Sequence, residues 1–162
     1  MSYLYIDPGL AALGWALYKR DEPEPLFGQI RTYARQGDFP WRIRKIRHAF
    51  KSILEEHQVE TICIENYTVR MEPKSVKGAP TLGTIGMVIG LADEYSIPLV
   101  LAEYSSWWAK WTNLCLLTEG AVQEMVKDYR EHEGDAARIL LTVHYRDITE
   151  HRVLTTAGGT HE

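Results

Sequence analysis

The chain opens on the apolar stretch Tyr3-Leu4-Tyr5-Ile6, which stops at Asp7-Pro8-Gly9, and a second stretch, Gly14-Trp15-Ala16-Leu17-Tyr18, follows after four residues. An apolar run that ends at Asp-Pro-Gly is typical of a buried strand followed by a turn. The second stretch predicts a strand that returns beside the first, and residues 27–33 predict a third. The beginning of the chain therefore predicts an antiparallel meander.

Helices and strands alternate after this meander. Pro40 begins a predicted helix, in which apolar residues recur at spacings of three and four as far as Leu54. The elements predicted after it are a strand over 59–65, a helix over 81–95, a strand over 97–103 and helices over 118–131 and 133–146. This order predicts an α/β fold, with a mixed five-stranded sheet flanked by helices. We expect one domain over residues 1–150 and a flexible C-terminal tail over 151–162.

Composition indicates a globular cytosolic protein. Of the 162 residues, 45% are hydrophobic and 25% are charged, which is ordinary globular usage. We expect no membrane association, because no apolar run approaches the roughly 18 residues of a membrane span. The first residues lack the features of a signal peptide, so a cytoplasmic location is expected. The two cysteines, Cys63 and Cys115, are too few for a disulfide framework.

The formal net charge of −4 conceals a segregated distribution. Residues 31–51 carry seven basic side chains and one acid, whereas residues 119–150 carry eight acids and four bases. A basic surface beside clustered carboxylates suits a metal-dependent enzyme that acts on a polyanion. The alternative is that residues 42–51 form the solvated face of an amphipathic helix.

Four side chains are candidates for a metal site. Asp7 and Glu65 each end a predicted strand, and we expect these two strands to be neighbours in the sheet. His132 and Asp135 are three residues apart, which places them on one face of a helix. Carboxylates held close together are stabilised by a cation, and their oxygens suit Mg²⁺ or Mn²⁺. Taken singly, the acids could instead form a turn, end a strand or cap a helix, and the histidine could lie on the surface.

These residues resemble the RuvC-type Holliday junction resolvases, which have a ribonuclease H-like fold. The resemblance is carried by Asp7-Pro8-Gly9-x₄-Gly14-Trp15-Ala16, Ile64-Glu65 and His132-x-x-Asp135-Ala136. It extends to Thr81-Leu82-Gly83-x-x-Gly86 and to Glu103-Tyr104-x₅-Lys110, and it spans the chain from about Tyr3 to Tyr145. The ordered set of motifs is more specific than any one of them. The absence of a long insert makes the chain more similar to the phage members of the family.

The resemblance implies a set of roles for residues of this chain. It implies two Mg²⁺ or Mn²⁺ ions per active site, held by Asp7, Glu65, His132 and Asp135. It also implies that Lys110 contacts the phosphate to be cut, although Lys110 could be an ordinary surface lysine. The family often has an aromatic wedge for the junction centre shortly after the catalytic Glu, and Tyr67, two residues after Glu65, is the candidate here, whereas the basic stretch over residues 70–77 could line the DNA instead. The candidates for DNA contacts are Arg42, Arg44, Arg47, Lys51, Tyr67, Arg70, Lys74 and Lys77.

A cluster of tryptophans departs from the family pattern. Trp107, Trp108 and Trp111 surround Lys110, where family members are usually less aromatic. Burial of these side chains is one interpretation and base stacking is the other.

The resemblance implies a homodimeric endonuclease that resolves four-way DNA junctions by paired symmetric nicks. The glycine-bearing helix over 81–95 is a candidate dimer face. The alternative function is RNA processing by a nuclease of the pre-16S ribosomal RNA type, which shares a similar Asp-Pro-Gly opening. The sequence does not indicate the cleavage-site preference or any branch-migration partner.

Overall fold

The computed structural model describes residues 1–22, 24–66, 78–129 and 131–157. Its strands are β1 (Ser2–Asp7), β2 (Ala12–Lys19), β3 (Leu26–Arg31), β4 (Thr61–Asn66) and β5 (Leu99–Glu103). Its α-helices are α1 (Phe39–His57), α2 (Ala79–Glu94), α3 (Tyr104–Leu117), α4 (Ala121–Glu124) and α5 (Glu131–Ala157).

The five strands form one mixed sheet in the order β3-β2-β1-β4-β5. Strand β1 pairs antiparallel with β2, and β2 pairs antiparallel with β3. On its other side β1 pairs parallel with β4, which in turn pairs parallel with β5. The predicted meander and the predicted five-stranded sheet are therefore confirmed. The central strand β1 has β4 as its parallel neighbour, as expected for the strands that end at Asp7 and Glu65.

Helices cover both faces of the sheet because side chains alternate along each strand. Leu4 and Ile6 of β1 enter a core with α1 and α2, which includes Phe50 and Val88. Tyr5 points to the opposite face and joins a second core with α3 and α5. Helices α1 and α2 thus form one layer, and helices α3 and α5 form the other.

The helices after β5 differ from the prediction. Helix α3 was not expected, since it begins directly after Glu103 without a side-chain cap or a Gly/Pro break to mark its start. The helix predicted over 118–131 is reduced to the single turn α4, because Gly120 takes a left-handed conformation (φ 85°) immediately before it. The last helix begins at Glu131 and continues to Ala157, beyond the predicted end at 146.

Helix α5 therefore includes residues 151–157 of the predicted tail, whereas residues 158–162 lie outside the described part of the chain. Among the described helices, none combines the length and the apolar character that crossing a membrane requires.

His144 of α5 is a titratable group inside the second core. Its ring stacks on Tyr18, with centroids 4.0 Å apart, and its Nε2 shares a 2.6 Å hydrogen bond with the Tyr5 hydroxyl. Burial lowers the pKa of His144 from its ordinary value, and the nearby Asp147 carboxylate opposes this shift. The folded protein therefore favours the neutral imidazole.

This lowered pKa predicts a pH dependence of stability. The contribution of His144 is fully present above the unfolded pKa of about 6.5 and is lost as the pH falls towards the folded pKa. The variant His144→Gln keeps a hydrogen-bond acceptor for Tyr5 but does not titrate. Urea unfolding between about pH 7 and pH 5 should therefore show a steeper loss of unfolding free energy in the wild type than in the variant. Parallel pH profiles for the two proteins would contradict the prediction.

Candidate active site

Asp7 and Glu65 lie side by side at one edge of the sheet. Ile6 pairs with Ile64 in the parallel register, which places the next residue of each strand at the carboxyl end of its strand. Side-chain alternation turns both carboxylates to the face covered by α3 and α5, opposite the face that buries Ile6 and Ile64. Carboxyl ends of neighbouring parallel strands are where open α/β sheets gather ligands.

The start of α5 brings His132 to this edge. His132 Nδ1 lies 2.6 Å from Asp7 Oδ2, a hydrogen bond that raises the pKa of the imidazole. The helix can approach because Gly14, the β2 partner of Asp7, has no side chain. A Cβ atom at Gly14 would lie 1.9 Å from the carbonyl oxygen of His132 and 2.8 Å from the backbone nitrogen of Glu133. Gly14 therefore determines how close the helix and its ligand candidates come to Asp7.

Glu65 is the most perturbed carboxyl group of the site. Its pKa is raised to about 7, chiefly by burial and then by the negative charges of Asp7 and Asp135. The buried Trp107 indole N–H stabilises the charged form and opposes this rise. Near neutral pH, Glu65 is thus divided between its protonated and charged forms. The three carboxylates form one electrostatic cluster, as predicted from the ends of the strands and the start of the last helix.

Asp135 belongs to this cluster but has a basic partner. Burial and the charge of Asp7 raise the pKa of Asp135, whereas an ion pair with Arg138 lowers it. Arg138 was not predicted as a site residue, although its i,i+3 spacing from Asp135 is a signal that could have identified it. Glu133, which the sequence placed beside His132, points elsewhere and accepts a 3.3 Å hydrogen bond from Gln29 Nε2.

The side chains at this edge, three carboxylates and one imidazole, are of the chemical types that bind a divalent metal ion. Clustered carboxylates that raise one another's pKa form an acidic centre that a hard cation neutralises. Within residues 1–22, 24–66, 78–129 and 131–157, however, no three His, Cys, Asp or Glu side chains converge as ligands of one ion. His132 is hydrogen-bonded to Asp7, and Asp135 is paired with Arg138. Metal binding therefore requires these side chains to exchange their present partners for the ion.

Lys110 is an exposed residue of α3 on the same side of the sheet. Burial raises the pKa of Cys63 to about 11, and the Lys110 ammonium opposes this rise. Because Cys63 precedes Glu65 by two residues on β4, the charge of Lys110 acts on the strand face that carries Glu65. The structure thus brings Lys110 towards the acidic cluster, and within the described parts of the chain it forms no ion pair with a carboxylate.

The predicted DNA-binding residues of α1 lie in the other helical layer. Arg42 is near the carboxyl end of β3, where its Nε donates a 2.9 Å hydrogen bond to Thr32 Oγ1. Arg44 is exposed. Lys51 lies nine residues after Arg42, or about 13 Å along the helix. Only the beginning of α1 therefore approaches the edge of the sheet that carries Asp7.

Arg47 and Lys51 have partners on α2. Arg47 is paired with Glu94, and Lys51 Nζ lies 3.6 Å from a Glu94 carboxylate oxygen. Exposed ion pairs of this kind contribute little free energy, so phosphates can replace the carboxylates. The remaining candidates for DNA contacts lie outside the described residues: Tyr67, Arg70, Lys74 and Lys77.

The fold is shared with solved resolvase structures. The chain is similar to Thermus thermophilus RuvC in complex with a Holliday junction substrate, with a TM-score of 0.69 and 19% identity over 88% of this chain and 91% of that chain. A second structure of Thermus thermophilus RuvC gives a TM-score of 0.65 and 19% identity, over 88% and 92% of the two chains. The yeast mitochondrial Holliday junction resolvase Ydc2 gives 0.57 and 14%, over 96% of this chain and 85% of that one.

No protein-family model and no curated protein sequence matches the chain. The structural likeness establishes the ribonuclease H-like fold of the RuvC-type resolvases for this protein.

Proposed function

We propose that this protein is an endonuclease that resolves four-way DNA junctions by paired symmetric nicks. The observation that carries the proposal is the cluster of Asp7, Glu65 and Asp135 at the carboxyl edge of the sheet, where their charges act on one another. The solved structures with the same fold support the choice of substrate, since they are Holliday junction resolvases and one of them holds a junction.

The proposed enzyme uses two Mg²⁺ or Mn²⁺ ions per active site, held by Asp7, Glu65, His132 and Asp135. Bound ions of this kind activate a water molecule for attack and stabilise the leaving oxygen of a phosphodiester. Two of these side chains end neighbouring strands and two lie on the first turns of α5, so rigid elements carry all four candidate ligands. Binding of the ions then requires His132 and Asp135 to leave their present partners. The hydrogen bond to Asp7 raises the pKa of His132, so a metal ion that binds this imidazole must compete with a proton for the ring nitrogen.

Basic side chains position the substrate in this proposal. Lys110 binds the phosphate to be cut, from the α3 side of the acidic cluster. Arg42, at the beginning of α1, contacts the backbone where the strand leaves the site. Contacts of this kind set the register of the DNA without reading its sequence. The other proposed backbone contacts are Arg44, Arg47, Lys51, Tyr67, Arg70, Lys74 and Lys77.

Symmetric nicking requires two active sites, and α2 offers a surface for a homodimer. Leu82 and Ile89 are 45% and 40% exposed on the face opposite the core. Gly86 lies between them, and no atom of the described residues lies within 4 Å of the position that a Cβ would occupy there. An apolar helix face with a central glycine permits close approach of the same helix from a second copy.

The variant Leu82→Glu tests this dimer face. In a two-fold symmetric dimer, each introduced glutamate faces either the same glutamate of the second subunit or the apolar surface of its α2. Juxtaposed like charges cost several kcal/mol of binding free energy. We expect the dimer dissociation constant to rise by about 100-fold, measured by light scattering after size exclusion. Leu116→Glu on α3, where the leucine is 74% exposed, is the matched control and should leave the dimer intact. A dimer that is unaffected by Leu82→Glu would contradict the proposed interface.

The function itself is tested with three substrates. Purified protein is incubated with Mg²⁺ or Mn²⁺ and a labelled four-way junction, a matching duplex or a structured RNA. Symmetric nicks in the junction alone are expected. Cleavage of RNA alone would identify the protein as an RNA-processing nuclease, and cleavage of the duplex at an equal rate would remove the junction specificity.

A further inference from the structure

A groove beside the acidic cluster is lined by two of the three tryptophans that set this sequence apart, Trp108 and Trp111. It lies between α3, the segment 121–129 and the start of α5, and its volume is about 580 Å³. This volume falls within the range of about 300–1,000 Å³ that is usual for ligand pockets. We call it the tryptophan groove, and its lining includes Trp108, Trp111, Gln123, Lys127, Tyr129 and Arg138.

The walls of the tryptophan groove present flat aromatic surfaces. Trp111 is 5% exposed and belongs to the core, whereas Trp108 is 41% exposed. The Trp108 ring stands edge-to-face on Trp107, with centroids 5.5 Å apart, so a core residue supports it. The Tyr129 ring packs against the partly buried Phe27, tilted by 44° at a centroid distance of 4.6 Å. Aromatic surfaces of this kind bind single nucleobases by stacking, at about 1–3 kcal/mol per base.

Polar groups of the groove suit the rest of a nucleotide. The guanidinium carbon of Arg138 lies 5.9 Å from the centre of the Trp111 ring, and Lys127 is 57% exposed at the opening. Lys127 is paired with Glu124 in an exposed ion pair of the kind that contributes little free energy, so a phosphate can replace this carboxylate. Arg138 is paired with Asp135, and the Gln123 amide can donate to and accept from the edge of a base. Two acids, Glu131 and Asp135, also line the groove.

The tryptophan groove adjoins the acidic cluster, because Asp135 belongs both to the groove lining and to the cluster. A strand whose phosphate is cut at this cluster therefore places a neighbouring nucleotide at the mouth of the groove. A base can lay its face on these side chains only after it leaves the stack of the duplex.

We propose that the tryptophan groove binds an unpaired base of the cut strand, next to the phosphate that is hydrolysed. This inference rests on the proposed function and adds a specificity site to it. Trp108 stacks on the base, Gln123 reads its edge, and Lys127 binds the adjoining phosphate. The preference for a particular nucleotide beside the cut then arises in the groove.

The first test measures binding without cleavage. Short single-stranded DNA is titrated into the protein without metal ions, and intrinsic tryptophan fluorescence is recorded. We expect Trp108→Ala to weaken binding by about 5- to 150-fold, which corresponds to the loss of one stacked base. Trp108→Phe keeps an aromatic face and should retain most of the affinity, and Lys127→Gln should reduce the salt dependence of binding.

The matched control is Leu117→Ala. Leu117 is 83% exposed on α3, nine residues after Trp108 and therefore on the opposite side of the same helix. Its removal should leave oligonucleotide binding unchanged. Thermal unfolding of each variant verifies that it is folded. Equal affinities of Trp108→Ala and wild type for single-stranded DNA would overturn the proposal.

The second test places 2-aminopurine at successive positions around the nick in a four-way junction. Fluorescence should change at one position next to the cut, and Trp108→Ala should abolish that change. The same response in Trp108→Ala and wild type at every position would overturn the proposal while leaving junction cleavage intact. Failure of the proposed function is seen separately, as the absence of nicks in junctions treated with wild-type protein.

Discussion

Asp7→Asn should abolish cleavage of a four-way junction while preserving the fold and the binding of DNA. Asparagine keeps the shape of Asp7 and can still hydrogen-bond to His132 Nδ1, which lies 2.6 Å from the carboxylate. It removes the charge that a metal ion needs. Losing a partner outside the ligand shell typically costs 10–100-fold in metal affinity or activity, so losing a ligand should cost more than about 100-fold.

The measurement combines two assays of the same variant. Nicking of a labelled junction is followed with Mg²⁺ or Mn²⁺, and junction binding is followed by gel shift without metal. Binding should be unchanged or slightly tighter, because one negative charge is removed from the DNA-facing edge. The control is Asp21→Asn, which removes an exposed acid at the opposite edge of the sheet and should cut normally. An Asp7→Asn protein that retains wild-type cleavage would overturn the metal assignment.

Gly14→Ala should have the second large effect, on stability and activity together. The new methyl group would meet the backbone of α5, 1.9 Å from the carbonyl oxygen of His132 and 2.3 Å from its carbon. A backbone cannot turn aside as a flexible side chain can, so the helix must move away from β2. Overpacking of this kind typically costs about 1–3 kcal/mol, and we expect about 3 kcal/mol or more here. The displacement also separates His132 and Asp135 from Asp7, so cleavage should fall with stability.

Gly134→Ala, within α5 itself, is the matched control for this substitution. The atoms nearest to its Cβ would be those of the Arg138 guanidinium, at the ordinary contact distance of 3.5 Å. Alanine in a helix interior is favoured over glycine by roughly 0.5–1 kcal/mol, so this variant should be slightly more stable than the wild type. Urea unfolding of the two variants gives both free energies. Equal stabilities of Gly14→Ala and Gly134→Ala would contradict the close packing of α5 on β2.

Much of the fold could be predicted because its strands carry strong local signals. The apolar run before Asp7 and the β-branched run before Glu65 identify two buried strands from residue type alone. The predicted adjacency of these strands implied that both carboxylates would meet at one edge, and there the charge of Asp7 adds to the effect of burial in raising the pKa of Glu65. Helix α3 escaped prediction because neither a capping residue nor a loop separates it from β5.

The surroundings of the acids could not be predicted, since they depend on contacts between distant segments. The sequence left open whether the tryptophans near Lys110 were buried or exposed. In the structure Trp107 and Trp111 are buried and Trp108 lies at the rim of a groove. The groove exists only where α3 meets the start of α5, so its lining cannot be derived from residue spacing along either helix.

The basic helix illustrates the same division. The positive charge of α1 was evident from the sequence, but the face of the sheet that α1 would cover was not. An amphipathic stripe indicates that a helix packs against something, but it does not indicate against which surface. The apolar pattern of the strands and the residues at the ends of the strands thus determined the sheet, the edge that carries the acids and the residue types of the candidate metal ligands. Tertiary packing alone decided which side chains partner those acids, how closely α5 approaches through Gly14, and which layer receives each helix. Local patterns report on neighbours in sequence, whereas these contacts join residues as far apart as Asp7 and His132.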